Sequence, residues 1–102
     1  MNNGRQVKRA IRQFNGGPYS IWKFRIKAII AEEGALQVLN EEPPVELTDN
    51  WKKMEMFAKV CIIEYISDSM IGTITEQDTA RDVFKKFDDI IERKSLAIQL
   101  AV

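Results

Sequence analysis

A thiol is the most nucleophilic side chain a protein offers near neutral pH, and this chain of 102 residues has one, Cys61. It lies on an apolar helical stripe among Ala58, Ile62 and Tyr65, a setting that raises a thiol pKa and makes it inert. A base to activate it is missing as well. The sequence contains no histidine, the residue whose ordinary pKa suits proton transfer at neutral pH and the commonest metal ligand. Carboxylates occur as adjacent pairs, Glu32/Glu33, Glu41/Glu42 and Asp88/Asp89. On a helix such neighbours diverge by about 100° and cannot flank one bond, as a glycosidase pair must. One cysteine without histidine cannot supply the four nitrogen or sulfur ligands of a structural zinc. Neither GxSxG nor GxxxxGK[ST] occurs, so the strained serine elbow and the phosphate-cradling loop are both lacking. A protein that is not an enzyme is expected, with no catalytic residue, metal, cofactor or small-molecule substrate.

Anion binding is the chemistry that the remaining residues could perform. Gly16-Gly17 precedes a helical segment, where free N–H groups can hold an anion, although the needs of a turn explain the glycines better. Arg5, Lys8, Arg9 and Arg12 form a basic N-terminal arm over residues 1–17. Cations unopposed by acids release counterions from phosphates, so these four are candidate RNA contacts of modest strength; the competing reading is a plain solvated terminus. The net charge is zero, yet its parts are sorted. Residues 1–30 carry seven cations, Arg5, Lys8, Arg9, Arg12, Lys23, Arg25 and Lys27, with no acid, while residues 31–50 carry Glu32, Glu33, Glu41, Glu42, Glu46 and Asp49 with no base. Sorting of this kind gives neighbouring copies complementary fields even when the sum cancels, or else it marks solvated faces.

The elements that must position these groups are helices. Apolar residues recur at three- and four-residue spacing almost throughout, and strand-like alternation is scarce, which predicts an all-α bundle of about five to six helices. Pro18 at N1 and Gly34 at a left-handed C-terminal position bound a first helix over about Pro18 to Glu33. Trp22, Ile26, Ile29 and Ile30 share one face of it, and Ile21, Phe24 and Ala28 widen that face, so the helix should sit centrally. A turn of helix at Ala35 to Leu39 leads to the loop Asn40-Glu41-Glu42-Pro43-Pro44-Val45, where the prolines break helical bonding. Thr48, Asp49 or Asn50 can cap a helix carrying Trp51, Met54, Ala58, Cys61, Ile62, Tyr65 and Ile66 inward. Ser67 can cap a brief helix through Met70 and Ile71, ended by Gly72. Asp78 or Thr79 opens the last full helix, with Asp82 placed to close a capping box and Val83, Phe84, Phe87, Ile90 and Ile91 as its inward stripe. Arg93 and Lys94 suit its final turn. Val7, Ala10, Ile11 and Phe14, ahead of the first helix, fit either a short amphipathic helix or an extended arm.

The expected core comprises Trp22, Ile26, Ile29, Trp51, Cys61, Ile62, Tyr65, Phe84, Phe87 and Ile91. The aromatic residues, Phe24 and Phe57 included, read as core and not as a base-stacking platform. Composition agrees with one globular domain, 45% hydrophobic and 29% charged, burying roughly 60 to 65% of its unfolded surface. No apolar run of about 18 residues is present to span a bilayer. The polar start Met1-Asn2-Asn3-Gly4 lacks a signal-peptide core, and a lone cysteine fits a reducing compartment, so a cytoplasmic location is expected.

Five blocks carry a family likeness: Tyr19 to Ile30 between Gly16-Gly17-Pro18 and Glu32-Glu33-Gly34, then Trp51-Lys52-Lys53, Ile62 to Ser69, Thr79-Ala80-Arg81, and Glu92 to Ala97. In that order and at those intervals they resemble the Gag proteins of copia-type LTR retrotransposons. The resemblance implies a capsid N-terminal-domain-like fold over 18–94 and a non-enzymatic structural role, in which Gag chains assemble into virus-like particles around the element's RNA. Expected partners are the chain itself and related Gag chains, with RNA bound weakly and no membrane. The CCHC zinc knuckle, protease, integrase and reverse transcriptase of the family have no counterpart here. Segment 95–102, with Ser95 as its cap, reads as the start of a further helix, truncated or used in assembly. Its apolar Leu96, Ile98, Leu100 and Val102 are candidate self-association residues, because isolated helices this short are marginal in water. Such a chain could be a truncated or host-adopted copy that joins assemblies and modulates their growth. The alternative function is a small RNA-binding module acting through the basic arm.

Overall fold

Each helix boundary is set by a local signal that can be followed in the coordinates. The computed structural model describes Phe14 and residues 18–101, with side chains described as far as Arg93. Five α-helices follow in order: α1 Tyr19–Glu32, α2 Gln37–Asn40, α3 Asp49–Glu64, α4 Asp68–Ile71 and α5 Ala80–Ala101. The architecture is all-α, and among the described residues the β-type pairing consists of an isolated parallel bridge between Phe14 and Ile66.

Pro18 occupies the N-cap of α1, one position ahead of the expected N1 site. At the other end Gly34 has φ +75°, and its N–H donates to Ala31 O at 2.9 Å while the Ala35 N–H donates to Ile30 O at 3.0 Å. These two bonds form a Schellman motif, with the apolar contact that accompanies it supplied by buried Ile30 and Ala35. Thr48 caps α3, its Oγ1 accepting from the Trp51 N–H at 3.0 Å. At α5 the Thr79 N–H donates to Asp82 Oδ2 at 3.0 Å and the Asp82 N–H to Thr79 Oγ1 at 3.1 Å, a reciprocal capping box. Gly72 follows α4 in right-handed helical conformation, φ −61°, so it ends that helix without using the left-handed region.

Helices α5 and α1 also depart from what their spacing predicts. Spacing predicts an end near Arg93-Lys94 and a new start at Ser95, but α5 runs unbroken from Ala80 to Ala101. Neither Gly nor Pro interrupts this segment, and serine inside a helix costs only about 0.5 kcal/mol relative to alanine. Helix α1 is not buried around most of its girth: Ile21 is 56% and Phe24 75% exposed, and Ala28 is exposed too. Only its Trp22, Ile26 and Ile30 side is buried, with Ile29 half-buried beside it.

The core lies where α1, α3 and α5 meet. Trp22, Ile26, Trp51, Cys61, Ile62, Phe84 and Phe87 are buried, and Ile29, Tyr65 and Ile91 are half-buried against them. Phe14 is also in this core, 3% exposed, although sequence reading leaves it in the arm. It is held there by main-chain bonds, Phe14 N–H to Tyr65 O at 2.8 Å and Ser67 N–H to Phe14 O at 3.0 Å. Its ring stacks on Trp22 with centroids 5.0 Å apart and meets Phe87 at 5.6 Å. The Trp22 indole N–H donates to Tyr65 O at 2.9 Å, which satisfies the one polar atom of a ring that can bury about 200 Å². Residues 1–13 lie outside the described part, so the choice of helix or extended arm for Val7, Ala10 and Ile11 does too.

Candidate functional site

Two i, i+4 pairs of cations face one another across a cleft between α1 and α5. Lys23 and Lys27 come from α1, and Arg81 and Lys85 come from α5. With Asp88 they rim a pocket of about 250 Å³ to which Leu39 and the core residue Phe84 supply the apolar lining. Helical periodicity puts both members of each pair on one face, and the packing of α1 beside α5 through Trp22, Phe84 and Phe87 brings the two faces together.

The cations are not equivalent. Lys23 Nζ donates to Asp88 at 2.9 and 3.1 Å and stands over the rings of Tyr19 and Phe84, 5.8 and 5.6 Å from their centroids. Asp88 also accepts from the Tyr19 hydroxyl. Burial first, then the hydrogen bond to Asp88 and its negative charge, push the Tyr19 phenol well above the usual tyrosine value. Arg81 Nη1 is paired with Glu42 at 2.9 Å, which ties the base of the acidic loop to the rim. Lys27 and Lys85 form no ion pair among the described residues, so they carry the pocket's unmatched positive charge.

The loop between α2 and α3 is the acidic counterpart. Glu41, Glu42 and Glu46 are exposed, and Val45 between them is fully exposed. A second groove of about 370 Å³ lies between this loop, α3 and residues 76–79, with Pro43, Leu47, Trp51 and Met56 as its apolar lining and Lys52, Glu55 and Lys59 beside them. Its far wall is pinned to α3 by the Lys59 ammonium, which donates to Thr75 O at 3.2 Å and Glu76 O at 2.9 Å. Glu55 contributes a cap across elements, its Oε2 accepting the Ala80 N–H at 2.7 Å. Burial raises the Glu55 carboxyl above its usual range against the opposing pull of the Ala80 N–H and Lys59. Asp78 is shifted the other way, lowered chiefly by its bond from Lys86 at 2.6 Å and then by the Thr75 N–H.

The residues singled out from sequence are distributed as follows. Cys61 is buried within α3. Of the acidic pairs, Glu41/Glu42 lies in the loop, while Asp88 and Asp89 part company, Asp88 half-buried in the pocket rim and Asp89 exposed. Among the described residues no group of three or more His, Cys, Asp or Glu side chains converges to hold a metal ion. Leu96, Ile98 and Leu100 lie on the last turns of α5, with side chains outside the described part, as are Val102 and the basic arm residues Arg5, Lys8, Arg9 and Arg12. The pocket of Lys23, Lys27, Arg81 and Lys85 was not foreseen. Its signal was the paired i, i+4 spacing, but which helix faces another is not written in the spacing.

What the fold and these surfaces define is an all-α domain with a charged pocket and exposed apolar side chains. In an alignment of 98 residues that covers 92% of this chain, it is 26% identical to the retrovirus-related Pol polyprotein from transposon TNT 1-94 of Nicotiana tabacum. It spans only 7% of that polyprotein's length. No protein-family model matches the chain, and no solved structure does. No described helix is long and apolar enough to cross a membrane.

Proposed function

We propose that this chain is a Gag-like structural domain of copia-type retrotransposon origin, non-enzymatic, which associates with copies of itself and with related Gag chains. The observation that carries the reading is the similarity to a transposon polyprotein along nearly the whole chain. Exposed apolar side chains support it physically: Ile21 and Phe24 on α1, Val45 and Leu47 in the loop, and Met56, Val60 and Ile63 on one side of α3. Apolar area of this kind contributes roughly 25 cal/mol per Å² when a partner removes it from water, and clustered apolar exposure marks interaction surfaces. The test is static light scattering of the purified chain from micromolar to millimolar concentration, with electron microscopy of the same samples, with and without RNA. Mass that rises with concentration, alone or on mixing with a full-length Gag relative, is expected. A chain that remains monomeric under all these conditions overturns the reading. Retention of RNA without any gain in protein mass would favour a small RNA-binding module instead.

A further inference from the structure

We infer that the cationic pocket between α1 and α5 receives the acidic loop of a second copy of this chain, Val45 entering the pocket and Glu41 and Glu46 meeting Lys27 and Lys85; this rests on the self-association proposed above. Three observations converge on that occupant. The pocket joins an apolar lining, Leu39 and Phe84, to a positive rim, and the loop presents the inverse arrangement, an apolar side chain between carboxylates. Val45 is fully exposed, so a chain's own loop does not fill its own pocket, although the Glu42–Arg81 pair anchors the base of that loop at the rim. Lys27 and Lys85 form no ion pair among the described residues, whereas Lys23 and Arg81 already face Asp88 and Glu42.

Charge arithmetic decides against a nucleic acid as the occupant. With two of four cations neutralised within the chain, two remain, and affinity for phosphates grows with the number neutralised. An apolar lining gives a phosphodiester nothing to bury, while it removes a valine side chain from water. Loop and pocket are different patches, so the contact is head-to-tail and repeats into rings or open arrays, as an assembling domain requires.

The experiment uses two variants of the full chain, pocket variant Lys27→Glu with Lys85→Glu and loop variant Glu41→Lys with Glu46→Lys. All four side chains are exposed or half-exposed, so melting temperatures near wild type are expected and are measured first by circular dichroism. Sedimentation equilibrium should show self-association about tenfold weaker or more in each variant alone, a loss of several screened ion pairs together with the valine contact. Mixing the two variants should restore pairing, since the native loop of one meets the native pocket of the other at wild-type strength, while the remaining junction sets a reversed loop against a reversed pocket. If the wild type associates and both variants associate equally well, the loop-in-pocket contact is overturned while the proposed function stands. If the pocket variant loses RNA retention at low salt with unchanged self-association, the pocket is a phosphate site and the inference is overturned in favour of RNA. A wild-type chain that never associates removes the proposed function itself, and this contact with it.

Discussion

At Tyr19 one hydroxyl joins α1 to α5 through Asp88, and its titration has a sign that can be tested. Because the folded state holds the phenolic proton above the usual tyrosine value, while the unfolded chain releases it near pH 10, the folded state binds more protons in alkali. Stability from this residue is therefore complete below about pH 10 and is lost as pH rises beyond it. Tyr19→Phe should cost about 1 kcal/mol at pH 7 for the lost hydrogen bond, and urea denaturation should show the gap to wild type closing above about pH 10. A gap that stays constant across that range would mean the phenol is not held in its neutral form. Residue identities of this sort were only half legible beforehand. Tyr19 opened a recognisable helix, but its partner lies 69 residues away, and no local pattern connects the two.

Helix ends were the most legible elements, because a cap needs only atoms within three or four residues of each other. Gly34 after α1 was readable on that ground, and the caps were narrowed to a few neighbours, Thr48, Asp49 or Asn50 for α3 and Asp78 or Thr79 for α5, of which the fold uses Thr48 and Thr79. The cross-element cap, Glu55 on the Ala80 N–H, was not, since it joins α3 to α5. Gly34→Ala should destabilise by about 1 kcal/mol, the cost of placing a side chain in the left-handed region. An added Cβ there meets nothing within 4 Å, so packing adds nothing to the loss, and a thermal melt measures it directly. Ser95 separates two readings of the last helix. Inside a continuous α5, Ser95→Ala should leave stability unchanged or raise it by about 0.5 kcal/mol. If Ser95 were a cap, the same change would cost about 1 kcal/mol, and chemical denaturation distinguishes the two signs.

For the molecule as a whole, periodicity announced an all-α bundle, yet it overstated how much of α1 would be covered. Ile21, Phe24 and Ala28 fit an inward face by spacing, but α1 turns toward its neighbours the side bearing Trp22, Ile26 and Ile30, so the rest meets solvent. Periodicity counts apolar residues without knowing how many neighbours a helix will find. Charge sorting along the chain was visible at once, and it becomes a spatial fact when Lys23, Lys27, Arg81 and Lys85 gather at one pocket beside the acidic loop. The proposed self-association, if such fields drive it in part, should weaken as salt is raised from about 0.05 to 0.5 M, where the screening length falls below about 5 Å. Light scattering across that range checks it. Association that strengthens with salt would assign the contact to apolar surface alone.

The seat of Phe14 governs where this protein can be cut. Its ring plugs the aromatic centre from outside the helices, fastened by a single rung to the chain around Ile66. A recombinant fragment begun at Pro18, the border suggested by the basic arm, would leave a phenyl-sized hollow beside Trp22 and strip the Tyr65 carbonyl of one donor. Emptying a buried aromatic site costs about 3 to 5 kcal/mol, a large share of what a domain this size possesses. Affinity tags and proteolytic trimming are therefore best kept upstream of that ring.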